Sequence, residues 1–177
     1  TVCDELGVRI DGVDFPHRLY QFALAHSGWR HAQVHPGGES FIALSSGLQA
    51  ALWRLGGVPE EHRTDSLSAA FNNLAEQTEL TARYAELCRH YGMRASRCNP
   101  GQSHENGAIE TRHGSLKTAI DQALRLRGSR SFEGVGDYER FVDALVQRMN
   151  ARFATRLCVE RPMLKALPSR RTAEYEE

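Results

Sequence analysis

The spacing of apolar residues changes along the chain, and each change predicts an element. "RLYQFALAH" (18–26) is dense in apolar and aromatic residues and reads as a strand. "SGW" turns it and "RHAQVH" (30–35) runs back, which predicts a hairpin. "VRI", just before Asp11-Gly12, predicts an earlier strand pairing with the first strand of that hairpin. After Pro36-Gly37-Gly38 the period becomes helical: Phe41, Leu44, Leu48, Ala51, Leu52 and Leu55 recur on one side, and Gly56-Gly57 with Pro59 stop the helix. "HRTD" (62–65) predicts a brief buried strand ending at Asp65, and "LTARYAELCRHYG" a helix closed by Gly92. "MRASRC" follows as an edge strand and "NPGQSHENG" as a loop. A long helix is expected over 107–127, with Ile109, Leu116, Ile120 and Ala123 in one arc. A last one, over 135–153, carries the stripe Tyr138, Phe141, Val142, Leu145, Val146 and Met149. Beyond Thr155 the pattern dissolves into a basic tail (155–177) expected to be extended or partly disordered. The order, antiparallel strands first and then helices alternating with strands, predicts an α/β fold with a mixed central sheet flanked by helices.

Composition narrows the class. At 177 residues, 41% hydrophobic and 25% charged, the chain suits one well-cored domain with an appendage. No apolar run approaches the roughly 18 residues of a membrane span, and no signal layout opens the chain. Cys3, Cys88, Cys98 and Cys158 are scattered without metal-ligand spacing, which suits reduced thiols in a cytoplasmic protein. Net charge is zero but polarised: residues 1–80 hold 5 basic against 10 acidic side chains, and residues 125–171 hold 11 against 5. The basic third can be laid along a phosphate backbone, or can simply be a solvated helical surface.

Two carboxylates stand out. On a helical wheel at about 100° per residue, Glu110, His113, Gly114 and Lys117 share a flank bordering the apolar arc, with the glycine leaving room for a bulky ligand. Asp65 ends its short strand, where sites of α/β proteins commonly sit. Structural roles compete in both cases. Glu110 falls in a first helical turn, favoured by the macrodipole, with Asn106 as N-cap, and Asp65 can itself cap a helix begun by "SLSAAF". Taken together, an acid at a strand end and another at a helix start suit magnesium, which takes hard oxygen ligands and keeps several waters.

The run "NPGQSHENGAIETRHGSLK" resembles the glutamate-bearing motif of DDE transposases and retroviral-type integrase cores, whose fold is ribonuclease H-like. The likeness extends through "LYQFALAHSGWRHAQVHPGGESF", "LWRLGGVPEEHRTDSLSAAF" and "LCRHYGM", so that it covers roughly residues 1–150. In detail "GGVPEEHRTDSLSAAF…HYGM…HENGAIE" is similar to the IstA-type transposases of bacterial insertion sequences. The resemblance implies a catalytic core over 1–154 in which Asp65 and Glu110 are the second and third acids of a metal-binding triad. It further implies that Lys117 contacts DNA, with Arg112 and His113 beside it, and that two Mg²⁺ or Mn²⁺ ions serve the complete site. Transposon-end and target DNA, a helper ATPase, assembly of several copies on DNA and a nucleoid-associated location follow from the same likeness. The family's first acid lies on the opening strand; with Thr1 matching the threonine that follows it, that aspartate is expected upstream of Thr1. Asp4, Asp11 and Asp14 are poor substitutes, the latter two reading as turn residues.

Other candidates carry ordinary explanations. His104 and Glu105 are expected on the loop before the helix, and Trp29 and Trp53 as packing anchors. Arg125, Arg127 and Arg130 can grip phosphates or finish a soluble helix. Rival readings are a non-catalytic DNA- or protein-binding module on the same fold, and a related ribonuclease or repair nuclease.

Overall fold

The computed structural model describes the backbone of residues 6–37, 41–64, 74–97 and 103–172, and the side chains of all of these but 74–80, 97 and 103–113. It is an α/β protein with a mixed sheet and helices, and its chain forms two compact units. The first comprises residues 1–38 and 107–157, the second residues 39–106 and 158–177.

In the first unit the expected early strand is split in two. β1 (Arg9–Ile10) and β2 (Val13–Asp14) pair antiparallel around Asp11-Gly12. Asp11 and Gly12 both have positive φ (50° and 77°), as a two-residue hairpin turn requires, and Asp-Gly is a sequence that tolerates it. β1 does not pair with the next hairpin, as the sequence suggested. Its second neighbour is β7 (Ser131–Phe132), which runs parallel to it, so this small sheet is mixed. The hairpin forms as expected from β3 (Arg18–Ala23) and β4 (Arg30–His35), although β3 ends three residues earlier than its apolar run. The chain turns back at Gly28, whose φ of 81° is a conformation few other residues adopt.

Register puts Leu19 opposite Val34 and Gln21 opposite Ala32, hence on one face. That face joins a core made with Leu116, Ile120 and Leu124 of α3 (Ser103–Arg127) and Tyr138, Val142, Leu145 and Val146 of α4 (Val135–Ala151). Of the residues marked by helical spacing in the sequence, Leu116, Ile120, Tyr138, Val142, Leu145 and Val146 are buried, and Ala123, Phe141 and Met149 are partly buried. Leu124 is an addition, and Ile109 lies outside the described side chains. One buried hydrogen-bond chain runs through this core: His17 donates from Nδ1 to the Phe15 carbonyl (2.9 Å), leaving Nε2 2.8 Å from the Tyr138 hydroxyl.

The second unit holds α1 (Phe41–Leu55), β5 (Glu61–Thr64), α2 (Leu74–His90) and β6 (Arg94–Arg97), with β5 and β6 parallel. Leu48, Ala51, Leu52 and Leu55 of α1 are buried as predicted, while Leu44 is half-buried. A second His–Tyr pair pins strand to helix here. The Tyr84 hydroxyl donates to the His62 carbonyl (3.0 Å) and lies 2.7 Å from His62 Nδ1.

Past α4 the tail is helical before it is extended: α5 (Ala154–Glu160) and a 3₁₀ turn (Arg161–Met163) precede the extended part. Lys165 then exchanges two backbone hydrogen bonds with Val58, at 2.9 and 2.8 Å, and its ammonium donates to the Gly92 carbonyl. Further along, Gln49 Oε1 accepts from the Tyr91 hydroxyl and from both the amide and hydroxyl of Thr172.

Candidate functional site

In the second unit the sequence builds a parallel β5–α2–β6 unit whose strand ends are cross-linked by charge. Glu61 lies opposite Arg94, takes hydrogen bonds from Ser96 (2.6 Å) and Arg94 (2.7 Å), and has Arg63 at 3.5 Å. Those bonds, Ser96 first and Arg94 next, hold the Glu61 carboxyl below its ordinary range. Behind it the His62 ring is buried, and burial lowers its pKa to about 4, so it is neutral at pH 7. Because the Tyr84 proton is committed to a carbonyl, the neutral ring carries its proton on Nδ1 and donates to the Tyr84 oxygen. Asp65 follows Thr64, the last residue of β5, but lies outside the described residues.

Glu110, Arg112 and His113 lie on α3, with their side chains outside the described set. The helix starts at Ser103, four residues before the expected 107. Asn106 is therefore helical rather than its N-cap, His104 and Glu105 are in the first turn rather than on a loop, and Glu110 sits in the second turn. Polar turn residues misled the boundary: Ser103 suits a helix start, Glu105 suits the first-turn dipole, and one glycine inside costs only about 1 kcal/mol. Lys117 is half-buried beside Leu116 and Ile120, while Gly114 and Ser115 are exposed. Ser115 accepts a hydrogen bond from Arg30 (3.1 Å). Among the described residues no group of three His, Cys, Asp or Glu could hold a metal. Asp14 is committed to an ion pair with Arg9 (2.9 Å) and Asp11 to its turn, while Asp4 lies outside the described residues.

The arginines divide in a way that the sequence did not reveal. An open groove of about 980 Å³ is lined by Arg9, Asp14, Arg125, Ser129 and Arg130. Its arginines are already engaged internally: Asp121 pairs with Arg125 (2.8 Å) and with Arg130 (2.6 Å), and these bonds, Arg130's first, hold the Asp121 carboxyl below the usual range. Arg130 also donates to the Leu6 carbonyl, and Arg127 donates to the Ser129 and Ser131 carbonyls while lying over the Phe132 ring. Both tryptophans are packing anchors: Trp29 is buried edge-to-face with Phe22, and Trp53 donates to Tyr91 with Arg171 over its ring. Arg148, Arg152 and Arg156, part of the basic stretch but not singled out in the sequence, are exposed, and among the described residues none of them is ion-paired.

No family model matches the chain. Over 179 aligned positions it is 52% identical to an uncharacterized protein, y4jA/y4nE/y4sE, of Sinorhizobium fredii. The match takes in all of this chain but 36% of that protein, so the chain spans about a third of its relative's length. Among the described residues no helix is long and apolar enough to cross a membrane. Cys88 is a buried free thiol and Cys158 an exposed one.

Proposed function

We propose that the chain is the catalytic core of a DNA transposase of the DDE type, with a ribonuclease H-like fold. The observation that carries this reading is the β5–α2–β6 unit: β5 and β6 are parallel, and the residue after the carboxyl end of β5 is Asp65. Carboxyl ends of parallel strands are where α/β folds collect their chemistry. Glu110 on α3, with Lys117 two turns further along, supplies the second acid and a cation for the phosphate backbone. The motifs around both acids support the same family.

In this reading Asp65, Glu110 and an aspartate upstream of Thr1 hold Mg²⁺ or Mn²⁺, for which carboxylate oxygens are the fitting hard donors. The bound metal supplies charge stabilisation and an activated oxygen nucleophile for phosphodiester chemistry. The reaction is hydrolysis at transposon ends, then attack of the freed 3′-hydroxyl on a target phosphate, which displaces the target strand's own 3′-oxygen as a hydroxyl. The chain's own contribution is positioning: Lys117, with Arg112 and His113, holds phosphates in line without reading bases. Base readout, a helper ATPase and assembly into a multimer on DNA belong to the longer protein and its partners.

A chain extended upstream by about ten residues, to include the third acid, tests this directly. It is expected to nick and join cognate end DNA with Mg²⁺ or Mn²⁺, and Glu110→Gln is expected to abolish both while leaving DNA binding intact. An extended, folded chain with all three acids that binds DNA and performs neither step would identify a binding module instead, and cleavage confined to RNA–DNA hybrids a ribonuclease. Lys117→Ala is expected to reduce the salt dependence of DNA binding by about 0.9 in log–log slope. An unchanged slope would remove Lys117 from the interface.

A further inference from the structure

Between Asp143 and Glu160 the chain carries three charged residues, Arg148, Arg152 and Arg156, and no acid. All three are exposed, and among the described residues none pairs with a carboxylate, whereas Arg9, Arg125, Arg130 and Arg140 all do. They recur every four residues. α4 ends at Ala151, yet Arg152 keeps helical angles (φ −68°, ψ −19°), and the Leu157 amide donates to the Phe153 carbonyl at 2.8 Å as α5 begins. Arg148 and Arg152 thus stand about 6 Å apart along the α4 axis, and Arg156 follows beyond the turn at residues 152–153.

The corner that bears them is held firmly. Asn150 clips β4 through both amide atoms, accepting from the Arg30 N–H (2.9 Å) and donating to the Arg30 carbonyl (2.7 Å). Phe153 packs against the Gly28 turn, where a Cβ would come within 3.6 Å of its ring. Only side-chain freedom remains to be lost when a ligand binds. The exposed neighbours Ala151, Ala154 and Thr155 are small, which lets a backbone approach closely.

We propose that this α4–α5 corner is a second DNA contact, in which Arg148, Arg152 and Arg156 neutralise successive phosphates of a duplex. The identity of the polyanion rests on the reading of the chain as a DNA-handling protein. Each strand of a duplex presents a phosphate about every 3.4 Å along its axis, so arginines about 6 Å apart can each reach a different phosphate. A membrane surface would need exposed apolar side chains to insert, and a protein partner would need an aromatic or aliphatic anchor. From Ala144 to Leu157 no large apolar or aromatic residue is exposed; the exposed Val159 and Met163 lie past the last of the three arginines.

The test is equilibrium binding of the full 177-residue chain to a duplex of arbitrary sequence in EDTA, between about 50 and 200 mM KCl. The triple variant R148Q/R152Q/R156Q is expected to lower the log–log salt slope by about 2.7, about 0.9 per lost phosphate contact, and to weaken binding at least tenfold at the lower salt. Lysine at the same three positions is expected to restore the slope, which a purely structural role would not predict. Matching thermal unfolding of variant and parent checks folding; if the triple variant does not fold, each single glutamine variant is expected to lower the slope by about 0.9. An unchanged slope in folded variants, failure of the parent chain to bind duplex, or loss of binding only to phosphatidylserine vesicles would overturn the proposal. Cleavage by the extended chain is a separate readout. If no cleavage occurs but the slope difference persists, the catalytic reading fails and the contact stands.

Discussion

Two buried histidines do different work from the one the sequence singled out. His113 drew notice because it shares a flank with Glu110, yet the rings that hold the fold are His17 and His62, each bonded to a tyrosine from a helix of its own unit. Nothing in a single sequence distinguishes a histidine with a buried hydroxyl partner from one in solvent, because the partners are 121 and 22 positions away. The consequence for stability has a definite sign. His62 titrates near 4 in the folded chain and near 6.5 unfolded, so between those values the unfolded state binds the extra proton. Stability should therefore fall as pH is lowered from about 6.5 towards 4, by at most about 1.4 kcal/mol per pH unit for this group, and level off below. Burial lowers His35 as well, and adds to the slope in the same direction. Urea unfolding at a series of pH values measures it: His62→Gln is expected to flatten the slope, and a slope identical to the parent's would show that His62 is not the group responsible. Tyr138→Phe removes the hydroxyl from the buried His17 ring, and is expected to cost about 1–3 kcal/mol in the same assay.

Elements with a strong period were legible, and those created by pairing at a distance were not. α1 and α4 show their buried stripes in the sequence because one face of each must meet a core. β7 is two residues long and exists because it pairs with β1 across the chain, which no local pattern announces; β1 itself was marked by the Asp11-Gly12 turn that follows it. The C-terminal tail is extended in part as expected, but its helical start, α5 and the 3₁₀ turn, was missed. Its extended part is fixed by backbone exchange with Val58 and by the acceptor oxygen of Gln49, partners more than a hundred positions away and beyond the reach of any local pattern. Gly57 is what lets it lie so close, since a Cβ there would stand 2.8 Å from Leu164 Cβ. Gly57→Ala should therefore lift the segment away, at a cost of about 1–3 kcal/mol. Limited trypsin digestion reads this out: cleavage after Lys165 should quicken relative to the parent while sites in α4 are cut no faster. Uniform acceleration at all sites would mean that Gly57 matters to the unit as a whole and not to the docked segment.

At the scale of the molecule, the α/β class followed from the order of elements, while the division into units did not, because the first unit takes up the chain again only at residue 107. The charge polarity was visible in the sequence, but not which arginines are committed; Asp121 is ion-paired with two that looked like phosphate ligands. The proposed chemistry also has a whole-chain consequence that needs no turnover. Carboxylates gathered to hold divalent cations repel one another without them, and a ligand bound only by the folded state adds RT ln(1 + [L]/Kd) to stability, about 2.7 kcal/mol at a hundredfold excess over Kd. The extended chain should accordingly melt higher in MgCl₂ or MnCl₂ than in EDTA with ionic strength matched by KCl. Glu110→Gln should shrink that gap and, with one negative charge removed, raise the melting temperature in EDTA. If the extended chain melts identically with and without the divalent cations at concentrations that support cleavage, the carboxylates are not a cation site.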